Sequence, residues 1–335
     1  MVRRRRHRLG SIVLALPAVL VLGVIVASCG SRVSDHGFGV ALSDATVTVS
    51  ARTPLLRPSA STAGLTVSHP RKVDHSKDER FDASRAMADI QALTAFGVRK
   101  AGSPQEAQGA AWVARRLREL GYQPQTESFL LPNGATSQNV FVVVPGKGAG
   151  RLIFGAHIDS KPPSPGANDD ASGVGILLEV ARLLKLKAPG PTVEIVFFGA
   201  EEISDGNPDH HHAGSRYRAS MLTAEERAQT SGMLSVDMAS FGTKAYARTM
   251  GVGPMSFAKT TIAEGKRLGL PITYWKDPGR TGWSDHEPYE KLGIPSAWLE
   301  WLEDPTYHTP RDTAERLSAK VVQQSGDLVL ALIRR

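Results

Sequence analysis

Thr192-Val193-Glu194-Ile195-Val196-Phe197-Phe198-Gly199-Ala200-Glu201-Glu202 joins an apolar, β-branched run to a pair of carboxylates. Residues 192–198 read as a buried strand, short and rich in Val, Ile and Phe. Adjacent glutamates at the end of such a strand repel one another unless a cation compensates them. One glutamate can then ligate the cation while the other takes a proton from water. Two solvated loop glutamates are the plainer alternative.

The same order, apolar strand and then polar group, recurs on both sides. Leu152–Gly155 leads to His157-Ile158-Asp159, and Met233–Val236 leads to Asp237. Further strands are expected over Asn139–Val144 and near Ser296–Leu299. Helical spacing fills the gaps. Met87, Ile90 and Leu93 follow a cap at Asp82; Val113, Leu117 and Leu120 precede the stop Gly121; Ile176, Val180 and Leu184 share a face of Gly173–Lys187. Helices are also expected near Ser256–Leu268 and over Thr313–Ile333. Strands alternating with helices predict an α/β fold of three layers, with a mixed, largely parallel sheet covered on both faces. Sites in such sheets form beyond the carboxyl ends of the strands, so His157, the Glu201–Glu202 pair and Asp237 arrive at one edge.

Three more pieces bear on a cation. In His157-Ile158-Asp159 the carboxylate can orient the imidazole of its neighbour, as partners of metal-bound histidines do; a surface turn is the alternative. Asn168-Asp169-Asp170-Ala171-Ser172-Gly173 opens a helix. Capping needs one aspartate, and a second with both oxygens free can bridge two cations. Tyr307-His308-Thr309-Pro310 offers one more imidazole, and Asp312 is either an orienting carboxylate or a helix cap.

Together with Ala101-Gly102-Ser103-Pro104, Ser284-Asp285-His286 and Gly293-Ile294-Pro295, these segments resemble the co-catalytic zinc aminopeptidases of metallopeptidase family 28. The resemblance spans the chain from about residue 101 to the C-terminus and implies a zinc exopeptidase-like fold holding two zinc ions per chain. It implies that His157 and Asp237 hold one ion, that Glu202 and His308 hold the other, and that Asp169 bridges them. Glu201 is then the general base and afterwards the acid, Asp159 orients His157, Tyr307 stabilises the oxyanion, and Asp285 lies near the substrate. The implied reaction is hydrolysis of N-terminal peptide bonds, with peptide or protein N-termini as substrates. Histidine and carboxylate ligands also admit manganese or cobalt. Glutaminyl cyclases share the fold and similar motifs but are single-zinc transferases. A carboxypeptidase or dipeptidase on the same fold, and a catalytically dead binding module, are further readings. A serine hydrolase is disfavoured because no G-x-S-x-G nucleophile elbow is present.

The chain departs from the family after the glutamate pair. Residues 203–213 intervene before Gly214-Ser215 and carry Asp209-His210-His211-His212. The loop is expected to border the pocket, as a solvated or substrate-contacting segment or as a further metal site. No room is left for a large inserted domain, so loops alone are expected to set access.

Of the formal charge of +7, five units come from Arg3, Arg4, Arg5, Arg6 and Arg8, and residues 1–28 hold no acid. The remaining +2 over residues 29–335 argues against a nucleic-acid partner. Residues 9–28 are uncharged and largely apolar, and the run ends in Val26-Ala27-Ser28-Cys29-Gly30, which resembles a bacterial lipobox. Residues 1–28 are therefore expected to be a lipoprotein-type signal peptide with lipid on Cys29. An uncleaved membrane anchor or a secreted form is the alternative. Each places the enzyme outside the cytoplasm, and the first two attach it to the membrane. Cys29 is the single cysteine, so any metal falls to His, Asp and Glu. Residues 29–80, rich in Ser, Thr, Ala and Arg, are expected to be a flexible tether, leaving 81–335 as the catalytic domain.

Overall fold

The structure is a computed structural model that describes residues 79–202, 205–279 and 281–335. The signal peptide, Cys29 and nearly all of the tether lie outside the described residues.

Eight strands form one sheet: β1 (Gln125–Leu130), β2 (Thr136–Val144), β3 (Arg151–His157), β4 (Thr192–Phe198), β5 (Thr230–Val236), β6 (Lys244–Thr249), β7 (Ile272–Lys276) and β8 (Ser296–Leu302). Their spatial order is β1-β2-β4-β3-β5-β8-β6-β7. The central strands β4, β3, β5 and β8 run parallel. The β1–β2 hairpin joins one side antiparallel through β2 and β4. On the other side β6 pairs antiparallel with β8, and β7 runs parallel to β6. The sheet is thus mixed around a parallel centre.

Alternate side chains supply the two faces, as a two-residue period requires. Leu152, Phe154, Val193, Ile195 and Phe197 enter the larger core. That core includes residues of α1 (Ala83–Thr94), α2 (Pro104–Glu119), α3 (Ser172–Leu186), α6 (Ser256–Arg267) and α8 (Ala319–Ile333). Ile153, Val196, Phe198 and Met233 enter a smaller core with Ala219 of α4 (Ala213–Met221) and Tyr289 of α7 (His286–Lys291). A short helix, α5 (Ala224–Gln229), precedes β5.

Three expectations shift. The final helix starts at Ala319 rather than Thr313, because Leu317 and Ser318 are extended and the Ser318 side chain caps the helix at Val321 N. The Ser318 N–H is drawn off to Ser240 O at 3.0 Å. β3 runs on to His157, so the histidine is the last strand residue and not the first loop residue. The edge strands β1 and β7, and β6 beside β7, lacked an apolar signal. Four of the five residues of β7 are exposed, and β6 reads Lys-Ala-Tyr-Ala-Arg-Thr.

One glycine sets the depth of the site. A Cβ on Gly173 would meet Val236 O at 1.8 Å, so only glycine lets the start of α3 sit against the end of β5. Among the described residues no helix is long and apolar enough to cross a membrane.

Candidate metal centre

The three strand ends meet as expected. His157 closes β3, Asp237 follows β5, and the glutamate pair follows β4 after a turn in which Ala200 takes φ 51°. The loop before α3 adds Asp169, and the segment after β8 adds His308.

Asp169 stands between two imidazoles. Its Oδ1 lies 3.0 Å from His157 Nε2 and its Oδ2 lies 3.1 Å from His308 Nε2. His308 Nε2 is also 2.8 Å from Glu202 Oε1, and His157 Nε2 is 3.8 Å from Asp237 Oδ1. Asp237 Oδ2 accepts from Ser284 Oγ at 2.7 Å, yet Oδ1 is buried without a hydrogen-bond partner. His308 Nε2 is likewise buried, and neither of its close contacts has hydrogen-bond geometry. His157 Nε2 and Asp169 Oδ1 are hydrogen-bonded, but the unpaired Asp237 Oδ1 and His308 Nε2 beside them are what a site for a shared cation looks like.

The two aspartates divide their work. Asp170 Oδ2 accepts from His157 N at 3.1 Å and its Oδ1 from Gly173 N at 2.8 Å, so it caps α3 and steadies β3. It also stands with His157 and Asp237 as a group of potential ligands, as Asp169 does with Glu202 and His308. The sequence reading did not single out Asp170.

Asp159 does more than expected. Its carboxylate lies 3.4 Å from His157 Nδ1, and its carbonyl 3.2 Å. Its two carboxylate oxygens accept from the N–H groups of Glu201 and Glu202, each at 3.0 Å. One side chain therefore ties the β3 end to the glutamate turn. Glu106 of α2 supports the same turn by accepting from Ala200 N at 2.8 Å. Asp312 accepts from Asn168 N at 2.8 Å and Asp169 N at 3.3 Å, so it orients the aspartate loop and caps no helix. The buried Arg99 donates to the carbonyls of Ile158, Pro165 and Gly166 and clamps the chain leading into that loop.

The electrostatics call for positive charge. Asp159, Asp169, Asp170, Glu201, Glu202 and Asp237 are all buried. Burial opposes the charge on Asp169, but His157 and His308 hold its carboxyl below the ordinary range. Burial, then Asp170, pushes Asp237 well up. Burial raises Glu201 to about 7 against the pull of His212. Burial works against protonation of His308, yet Asp169 and Glu202 raise it to about 9. So many buried carboxylates are costly without compensating cations.

A cavity of about 480 Å³ opens over the centre, lined by Lys161, Glu201, Glu202, Trp283, Tyr307 and His308. Tyr307 stacks on His308 with ring centroids 3.6 Å apart and is 47 % exposed. The inserted loop borders the same cavity through Asp209, His211 and His212, as expected. Asp285 is fully buried and is not part of the cavity wall; burial raises its carboxyl, and His212 only partly opposes this.

Comparison with known proteins bears on the family and the fold. Over 211 residues the chain is 31% identical to aminopeptidase YwaD of Bacillus subtilis, a match covering 59% of this chain and 44% of that one. The chain thus spans less than half the length of that relative. A zinc aminopeptidase structure from Bacillus subtilis superposes with a TM-score of 0.69 at 20% identity, covering 77% of this chain and 96% of that one. The Tannerella forsythia glutaminyl cyclase gives 0.67 at 25% identity, covering 76% and 98%. The profile of peptidase family M28 matches residues 139–333, a stretch that holds His157, Asp169, Glu201, Glu202, Asp237 and His308, and the chain belongs to that family.

Proposed function

We propose that the chain is a metal-dependent aminopeptidase with two zinc ions. The observation that carries this reading is Asp169, whose two carboxylate oxygens each face a different histidine. His157 and Asp237 hold one ion, Glu202 and His308 the other, and Asp169 both. When bound, such ions supply an acidified water and a Lewis-acid contact for the peptide carbonyl.

The chain's own groups do the rest. Glu201 lines the cavity and is not spent as a ligand. It takes the proton of the attacking water and returns it to the leaving amine. The Tyr307 hydroxyl donates to the carbonyl oxygen as negative charge develops there. A free α-amine is drawn to the carboxylates of the cavity, whereas an acylated one brings bulk and no charge.

A substrate panel tests the reading. A free aminoacyl anilide should be cleaved at least about 100-fold faster than its acetylated form, since unpaired buried polar groups reject analogues strongly. Equal rates would end the aminopeptidase reading. Pyroglutamate formation from an N-terminal glutaminyl peptide, without hydrolysis, would favour the cyclase, a reading kept in view by the Tannerella forsythia structure.

We further propose that residues 1–28 are removed on export, that lipid on Cys29 holds the enzyme at the membrane, and that residues 29–80 are the tether. Labelled fatty acid should enter the wild-type protein in a bacterial host and not Cys29→Ala. Equal labelling of both would rule the anchor out.

A further inference from the structure

The inserted loop delivers one side chain to the glutamate that the proposed mechanism uses as base. After the insertion the chain rejoins the core at His212, whose N–H donates to Glu201 O at 2.7 Å, and at Ala213, whose N–H donates to Ala200 O at 2.9 Å. His212 takes φ 57°, and this turns its ring inward until it is 1 % exposed. Its Nε2 lies 2.9 Å from Glu201 Oε1 and its Nδ1 lies 3.2 Å from Glu287 Oε2, both as ion-pair contacts, since Nδ1 and Oε2 lack hydrogen-bond geometry. His212 Nε2 is also hydrogen-bonded to His211 Nδ1 at 2.9 Å, so it serves both the neighbouring imidazole and Glu201.

The imidazole is thus set between two buried carboxylates. Glu287 is itself fixed from α7, because its Oε1 pairs with Arg216 at 3.2 Å and with Lys291 of the same helix. Those two cations also weigh against a metal ion in the nearby group His211, His212 and Glu287.

We infer that His212 is a positioning residue: braced by Glu287, it ties down Oε1 of Glu201 and leaves Oε2 as the oxygen that meets the water. It acts through Glu201 and touches neither ligand nor substrate in this role. A glutamate side chain has three soft torsions, and a base must sit within hydrogen-bond reach of one particular proton. A charged contact of this kind contributes enough to change a rate about 10- to 100-fold when it is lost. The insertion is then part of the catalytic apparatus and not only a rim on the pocket.

The inference rests on the reading of Glu201 as the base, so Glu201→Gln runs beside the test. His212→Asn keeps a residue that tolerates positive φ but is too short to reach Glu201. His212→Gln places an amide nitrogen the same number of bonds from Cα as Nε2. In His212→Asn, kcat should fall about 10- to 100-fold with KM, bound metal and Tm near wild type, and His212→Gln should recover most of it. Wild-type kcat in His212→Asn would overturn the inference, as would a loss that follows metal or Tm, or a folded His212→Gln no better than His212→Asn. Should His212→Asn fail to fold, Glu287→Gln removes the brace. A fall of several-fold in kcat alone supports the role, and an unchanged kcat overturns it. Full activity in Glu201→Gln would instead bring down the assignment of the base.

Discussion

Glu201→Gln is expected to lower kcat by about 10²–10⁴-fold while the protein keeps its metal. The change removes a proton acceptor and nothing that the centre needs for binding cations, since Glu201 stands outside both groups of converging donors. Glu202 lies inside one of them, with Oε1 2.8 Å from His308 Nε2. Glu202→Ala should therefore lose metal first and activity as a consequence. Metal analysis of the two purified variants separates these outcomes. If Glu201→Gln came out metal-poor and Glu202→Ala metal-replete, the roles of the pair would be reversed.

Chelation is expected to cost at least about 10³-fold in activity, because no side chain replaces an acidified water. Activity should return in step with added zinc and reach its plateau at two equivalents; a plateau at one equivalent would overturn the bridged pair. Stability should follow. A tight ion present at a thousand times its Kd contributes about 4 kcal/mol, on the order of 10 °C in Tm for a domain of this size.

The metal-free protein should also grow less stable as pH rises. Glu201 binds its proton up to about 7 in the folded chain against 4.5 unfolded, and His308 up to about 9 against 6.5. The folded state therefore holds more protons through this window, so unfolding becomes easier from about pH 4.5 to 9. Melting curves of the chelated protein across that range check the sign. A Tm that climbed from pH 5 to 8 would contradict it.

The parallel centre of the fold was legible because its strands are buried on both faces and are mostly apolar, with only single polar residues such as Glu194 and Ser235 among them. The same runs pointed to the site, since polar residues at the ends of three of them had to share one edge. Asp169 was legible as one carboxylate more than a cap requires, but which aspartate caps and which faces the histidines is a matter of backbone direction that spacing does not carry. His308 rested on order alone, in a segment without periodicity. The edge strand β7 was hidden because edges tolerate polar and exposed residues, and its neighbour β6 because Lys244, Tyr246, Arg248 and Thr249 break up its apolar pattern. Arg99, Glu106 and Glu287 were hidden for another reason. Each is a charged residue that reads as solvated surface until the fold surrounds it with carbonyls, amide hydrogens or ion pairs. His212 was visible only as part of a histidine run, since its partner Glu201 lies across an insertion whose path no local pattern gives.

The centre is spread along the chain in a way that sets a timetable. Its proposed donors begin at His157 and end at His308, which follows β8, the strand that pairs with β5. A ribosome that has released the first half of the domain has made Asp169 and Glu202 but not the histidine that completes their group. Ion loading is therefore a late event, coupled to the closing of the sheet rather than to its start. On the proposed ligand set, a chain cut before residue 308 would lack the histidine that completes the Asp169–Glu202 group.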